Sequence, residues 1–144
     1  MRRNALDHAF VEFVPDELVE GVLYISIPYA TAAHKCCCGC GNEVVTPLTP
    51  TDWEMSFDGK SISLYPSIGN WNFPCRSHYW IRKGRVRWAE AWSPKQIQAG
   101  RRRDAARKAE YFEHSADSEA SIDTPQTRGF LSGLGRALSK RRKV

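Results

Sequence analysis

All five cysteines of the chain fall in two short clusters, His34-Lys35-Cys36-Cys37-Cys38-Gly39-Cys40-Gly41 and Cys75-Arg76-Ser77-His78. Thiolate and imidazole donors from two tight turns can close a tetrahedral shell around Zn²⁺. A glycine after a ligand lets backbone N–H groups turn toward the sulfur and stabilise its charge, and Gly39 and Gly41 sit where that is needed. Cys75 and His78 have the two-residue spacing of a knuckle and stand just ahead of an expected strand, so they form the firm pair. The first cluster offers Cys36, Cys37, Cys38, Cys40 and His34, of which four-coordination needs two. Cys37-x-x-Cys40-Gly41 fits a knuckle by spacing alone, and spacing does not choose among the cysteines. His34 is expected to close a strand or to hydrogen-bond outside the ligand shell. Buried, unligated thiols are the bland alternative, and their density in two clusters argues against it.

A catalytic zinc needs an open coordination position and a nearby base. No His-Glu-x-x-His occurs, and neither cluster contains a carboxylate. A thiolate-rich shell also donates charge to the metal and makes it a poor Lewis acid, so a structural zinc is the expectation. Ser67, Ser77 and His78 raise a serine-hydrolase alternative. There is no Gly-x-Ser-x-Gly elbow, and His78 is better employed on zinc. Ser67 and Asn70 are then expected to hold their loop through hydrogen bonds to its backbone. Binding is favoured over catalysis.

At 144 residues the chain suits one domain with appendages. It has no apolar run of the roughly twenty residues that span a bilayer. Asn4, Asp7, His8 and Glu12 interrupt any apolar core behind Met1-Arg2-Arg3, so no signal peptide is expected. A reducing, cytoplasmic setting follows, in which clustered cysteines are ligands rather than disulfides. The net charge of +5 hides an asymmetry. Residues 1–81 hold five Lys/Arg against nine Asp/Glu, net −4, and residues 82–144 hold sixteen against seven, net +9. A basic C-terminal part suits an anionic partner such as nucleic acid, or merely a solvated helix face and tail.

The positioning elements are mostly strands. Phe10–Val14 and Val22–Ile27 are β-rich, with a turn at Pro15–Leu18 between them. Val44-Val45 opens a short strand, and Pro47 and Pro50 keep the next stretch extended. Trp53–Phe57 and Ser61–Tyr65 alternate around Asp58-Gly59, which suits a type I′ hairpin turn. Pro66–Pro74 reads as a loop carrying Ile68, Trp71 and Phe73. A second hairpin runs His78–Ile81, Lys83-Gly84, Arg85–Trp88. Its aromatics either fill a small core or, beside Arg76, Arg82, Arg85 and Arg87, stack single-stranded nucleic acid; the alternation of Arg85-Val86-Arg87-Trp88 favours the core. Ser93-Pro94 starts a helix that should run to about Glu113, with Gly100 weakening its middle and a thin apolar face of Ile97, Ala105, Ala109 and Phe112. Residues 114–127 read as a linker and 128–144 as a basic amphipathic tail with Phe130, Leu131, Leu134, Ala137 and Leu138 on one stripe. That tail could dock in a partner groove or lie on an anionic membrane. The fold class expected is therefore mostly β (small α+β). Zinc-ribbon-like β-hairpins surround one metal site in residues 1–92, followed by a basic helix (93–113), linker and tail.

Several unusual residues stand in a recognisable order: His34-x-Cys36-x-Cys38-Gly39-Cys40-Gly41, Pro66-Ser67-Ile68-Gly69-Asn70-Trp71, Pro74-Cys75-Arg76-Ser77-His78-Tyr79-Trp80-Ile81 and Val86-x-Trp88. Over about residues 10–90 this resembles a bacterial domain family of unknown function that is associated with ubiquitin-like conjugation systems. The family pattern has proline where this chain has Cys37. The resemblance thereby shifts the ligand assignment to Cys36, Cys38 and Cys40, alongside Cys75 and His78. It implies protein partners of ubiquitin-like, activating or conjugating type. The leading expectation is a zinc-stabilised interaction module, an accessory component of a bacterial ubiquitin-like modification pathway. A nucleic-acid-binding zinc protein is the alternative, and a hydrolase acting on ubiquitin-like conjugates the second.

Overall fold

In a computed structural model of the chain, residues 1–120 are described, apart from the side chains of 119 and 120. The expected tail (128–144) and residues 121–127 of the linker lie outside the described residues. Eight strands form two four-stranded sheets, and one helix follows them. The mostly β expectation holds.

The first sheet comprises β1 (Asp7–Phe10), β2 (Val22–Ser26), β3 (Thr31–Lys35) and β4 (Glu43–Pro47) in sequential order. β1 runs parallel to β2, and the other neighbours are antiparallel. The second sheet comprises β5 (Glu54–Phe57), β6 (Ile62–Gly69), β7 (His78–Arg82) and β8 (Arg85–Trp88), antiparallel throughout. Alternate residues turn inward, as strand geometry requires. Leu23 and Ile25, Ile62 and Leu64, and Tyr79 and Ile81 are all buried. Residues of both sheets share one core cluster, which Cys36 and Cys37 join.

Four expectations need correction. The first strand lies at Asp7–Phe10 rather than 10–14, where it pairs with β2 in parallel. β3 was expected only through His34, as a strand end without bounds; Thr31–Lys35 is poor in strand formers but sits between β2 and β4, paired on both sides. The Asp58-Gly59 turn is a four-residue loop, because Phe57 pairs with Ile62. Its side chain accounts for the length: Asp58 Oδ1 accepts from the N–H groups of Lys60 (2.9 Å) and Ser61 (2.6 Å). Finally, β6 continues through Pro66 to Gly69, past a cis Tyr65–Pro66 peptide and an irregular register between Leu64 and Ile68. The Lys83-Gly84 hairpin is as expected, with Arg82 paired to Arg85 and both turn residues at positive φ.

The helix α1 spans Pro94–Ala120, beyond the expected end near 113. It starts in a capping box: Ser93 Oγ accepts from Gln96 N–H (3.3 Å), while Gln96 Oε1 accepts from Ser93 N–H (2.8 Å). Among its described side chains, Ile97 alone is buried. The remaining docking is polar, through Arg101 to Asn72 Oδ1 (2.9 Å) and Lys108 to Asp52 (2.5 Å). No helix among the described residues is long and apolar enough to cross a membrane.

Candidate functional site

The β3–β4 loop and the β6–β7 loop bring four thiols together. The Sγ atoms of Cys36, Cys38, Cys40 and Cys75 all lie within 4.8 Å of one another. Cys36 is 3.4 Å from Cys38 and 3.9 Å from Cys75, and Cys40 is 3.8 Å from Cys75. A tetrahedron with Zn–S bonds of about 2.3 Å has edges of about 3.8 Å. The donor set and its spacing fit a metal ion. Local folding explains the convergence. Gly39, at φ +87°, donates its N–H to Cys36 O (3.0 Å) in the tight turn that lets Cys38 and Cys40 point back toward Cys36. Across the gap, Arg76 adopts φ +45° and donates its N–H to Phe73 O (3.0 Å), which holds the Cys75 turn.

Neighbouring groups address the sulfurs. Ser77 Oγ is 3.1 Å from Cys36 Sγ, and Asn42 Nδ2 donates to Cys40 Sγ at 3.2 Å. Burial pushes the Cys40 thiol up, yet the Asn42 N–H, the Asn42 amide and adjacent thiols together bring it down to about 7. Cys37 is different: wholly buried in the core cluster, it lies outside the thiol group, and burial raises it to about 12. His34 is also buried and outside the group. Its Nε2 meets Tyr79 Oη at 2.9 Å, and burial lowers its pKa to about 4, so the ring is neutral at pH 7.

His78, expected as a ligand, is placed elsewhere. It opens β7, and successive strand residues face opposite ways. Ser77 therefore points to Cys36, and His78 points away from it, toward Ser67. The His78 Nε2 to Ser67 Oγ distance is 3.0 Å. On the other side of the ring, Nδ1 is 3.3 Å from the carbonyl of Glu90. A carbonyl only accepts, so Nδ1 carries the proton and Nε2 presents its lone pair to the serine hydroxyl. Trp71, Trp80 and Trp92 surround the imidazole at centroid distances of 5.0, 5.6 and 4.9 Å. His78 is 4 % exposed, and Ser67 is half-buried.

One hydrogen-bond frame joins the two centres. Gly69 pairs with His78, Asn70 N–H donates to Ser77 O (2.9 Å), and Asn70 Nδ2 donates to Ser77 Oγ (2.9 Å). The segment 67–78 thus carries the serine, a cysteine of the thiol group and the histidine, tied across its neck. The pair Ser67–His78 opens into a cleft of about 570 Å³, bounded by Trp53, Tyr65, Trp71 and Trp92 and, on the far wall, by α1. Ser67 was expected to support its loop, because Cys75-x-x-His78 had claimed its partner.

A serine hydroxyl against a tautomer-fixed imidazole, beside a four-thiol cluster on a two-sheet β framework, defines a metal-binding-capable domain with a hydrolase-like pair. The sequence model of the family described as "Bacterial ubiquitination-like system serine protease (BubE)" matches residues 10–89, which is 80 of the 144 residues, and the chain belongs to that family. The resemblance to a domain of ubiquitin-like conjugation systems is borne out. No curated protein and no solved structure matches the chain.

Proposed function

We propose that this protein is a serine protease of a bacterial ubiquitination-like system, with Ser67 as nucleophile, His78 as general base and a structural Zn²⁺ on Cys36, Cys38, Cys40 and Cys75. The 3.0 Å Ser67–His78 contact, with Nδ1 oriented by the Glu90 carbonyl, carries this reading. The family description supports it. It replaces the accessory binding module as the leading reading, because the histidine that argued against a hydrolase is free for the serine.

His78 Nε2 takes the Ser67 proton as Oγ bonds to the carbonyl carbon of the scissile amide. The same proton passes to the departing nitrogen as the C–N bond breaks. Water then attacks the acyl ester, leaves its proton on His78, and Ser67 recovers it as the acid product departs. Here a backbone carbonyl orients the imidazole in the place that a carboxylate takes in a triad. The carbonyl carries no full charge, so it fixes the tautomer with less stabilisation of the imidazolium. The indoles of Trp71, Trp80 and Trp92 shield the ring from bulk water. Cys36, Cys38, Cys40 and Cys75 would hold the zinc, which would offset half of their thiolate charge and cross-link the two loops; Ser77 and Asn70 carry that rigidity to the strand that holds His78.

The substrate class in this reading is a ubiquitin-like protein extended or conjugated at its C-terminus. A fusion of the system's ubiquitin-like protein to a reporter should be cut by the intact chain, and Ser67→Ala or His78→Ala should slow cutting by about 10³-fold or more. Undiminished cleavage by Ser67→Ala would overturn the proposal.

A further inference from the structure

α1 lies outside the matched residues 10–89, yet it forms a wall of the cleft. Besides its cap and its polar contacts, a close approach to Trp92 fixes it there. Gly100 faces Trp92, and a Cβ at that position would stand 3.0 Å from Cζ3 of that ring. Trp92 in turn stacks on Trp71 at 5.5 Å and 19°. The wall is cationic: Arg101, Arg103, Arg107 and Lys108 line the cleft, against Asp52 and Asp104 as the acids there. The acids are already used, Asp104 by Arg107 (2.6 Å) and Asp52 by Lys108 (2.5 Å). Among the described residues, Arg101 hydrogen-bonds to the neutral Asn72 amide and pairs with no carboxylate. Arg103 has no carboxylate within ion-pair distance among the described residues.

We infer that Arg101 and Arg103 select an acidic peptide segment, carrying Asp or Glu side chains close to the bond presented to Ser67. Two uncompensated cations beside an aromatic floor attract carboxylates and disfavour Lys or Arg at the same place. Guanidinium groups also match carboxylates in bidentate geometry. A peptide fits better than a nucleic acid strand because the floor of the cleft holds the Ser67–His78 pair. The inference rests on the proposed protease reading and names its substrate class.

The test uses the full chain carrying Ser67→Ala, so that bound peptide persists. Fluorescent peptide pools, alike except for Glu, Gln or Lys at two adjacent central positions, are titrated by anisotropy. The Glu pool should bind about tenfold more tightly than the Lys pool, the factor that two partly screened ion pairs supply together. The gap should shrink with added salt. Arg101→Glu with Arg103→Glu should reverse the order with the unfolding midpoint kept, both positions being exposed and the Lys108–Asp52 pair still holding α1 when Arg101 gives up Asn72. Arg85→Glu with Arg87→Glu, the same charge change on β8 away from the cleft, should leave it unchanged. Equal affinities, no measurable binding of any pool, or a reversal produced equally by the β8 pair would overturn the inference. A single-stranded oligonucleotide that binds more tightly than the Glu pool would do so as well. Fluorophosphonate labelling of the wild-type chain is run alongside: failure at Ser67 removes the protease reading, whereas equal pools with intact labelling remove only the acidic selection.

Discussion

Replacing Gly69 by alanine should disable the site while leaving the chain folded. A Cβ at Gly69 would lie 2.4 Å from Trp71 Nε1, 2.5 Å from Cε2 and 2.8 Å from Cζ2. Ordinary contact begins near 3.4 Å, so the indole must retreat by about 1 Å (3.4 less 2.4). It has little room to do so. Trp71 stacks on Trp92, Trp92 presses on Gly100, and the His78 ring packs against both indoles. Overpacking of this size costs about 1–3 kcal/mol, a fall in midpoint of roughly 3–10 °C for a domain of this length. The chemical effect is larger. A displacement of about 1 Å among reacting groups can cost about 10²-fold in rate, and the 3.0 Å contact from His78 to Ser67 is adjacent to the disturbed ring. The assay follows the rate of fluorophosphonate labelling together with thermal unfolding. Gly69→Ala should label about 10²-fold more slowly yet still unfold cooperatively. Restoring space with Trp71→Ala in the same chain should recover part of the stability but not the shielding of His78. Wild-type labelling and wild-type stability in Gly69→Ala would refute the packing argument.

Cys75→Ser should abolish stoichiometric metal binding and lower the unfolding midpoint by roughly 10 °C, whereas Cys37→Ala should keep one ion per chain, because Cys37 lies outside the thiol group; elemental analysis of the purified variants distinguishes them. Tyr79→Phe leaves His34 Nε2 without its 2.9 Å partner in the core and should cost about 1–3 kcal/mol by denaturant unfolding. His34 has a pKa lowered by burial to about 4, so the unfolded chain takes up its proton first as pH falls. Its contribution is complete above about pH 6.5 and is lost by up to about 3 kcal/mol as pH drops to 4; the difference between wild type and His34→Gln across that range should show it. Chelation should slow fluorophosphonate labelling at Ser67 together with loss of the ion, since the segment 67–78 joins both centres, and labelling unaffected by complete metal removal would contradict that link.

The thiol cluster was legible because ligand chemistry is carried by residue type, and four cysteines within two turns have few other uses. The Lys83-Gly84 hairpin was legible for a similar reason: both turn residues adopt positive φ, and the flanking alternation is clean. What could not be read was direction. Cys75-x-x-His78 looks like a knuckle when the turn is assumed to continue, but β7 begins at His78, whose side chain faces Ser67 rather than the thiol cluster. Ser67 was hidden by Pro66 and Gly69, which normally end a strand and here lie inside an irregular one. β3 was left without bounds, apart from His34 as a strand end, since Thr-Ala-Ala-His-Lys has little intrinsic preference, and two neighbouring strands supply what its side chains do not. The helix was cut short by reading Ser, Asp and Glu as linker, although no Gly or Pro interrupts residues 101–120.

The proposed function requires Ser67 to be a nucleophile made reactive by His78. Intact-mass measurement after fluorophosphonate treatment, followed by peptide mapping, tests it directly. A single adduct per chain on Ser67 is expected, absent in His78→Ala. An adduct on another serine, or none under conditions where the chain is folded and metal-loaded, would contradict it.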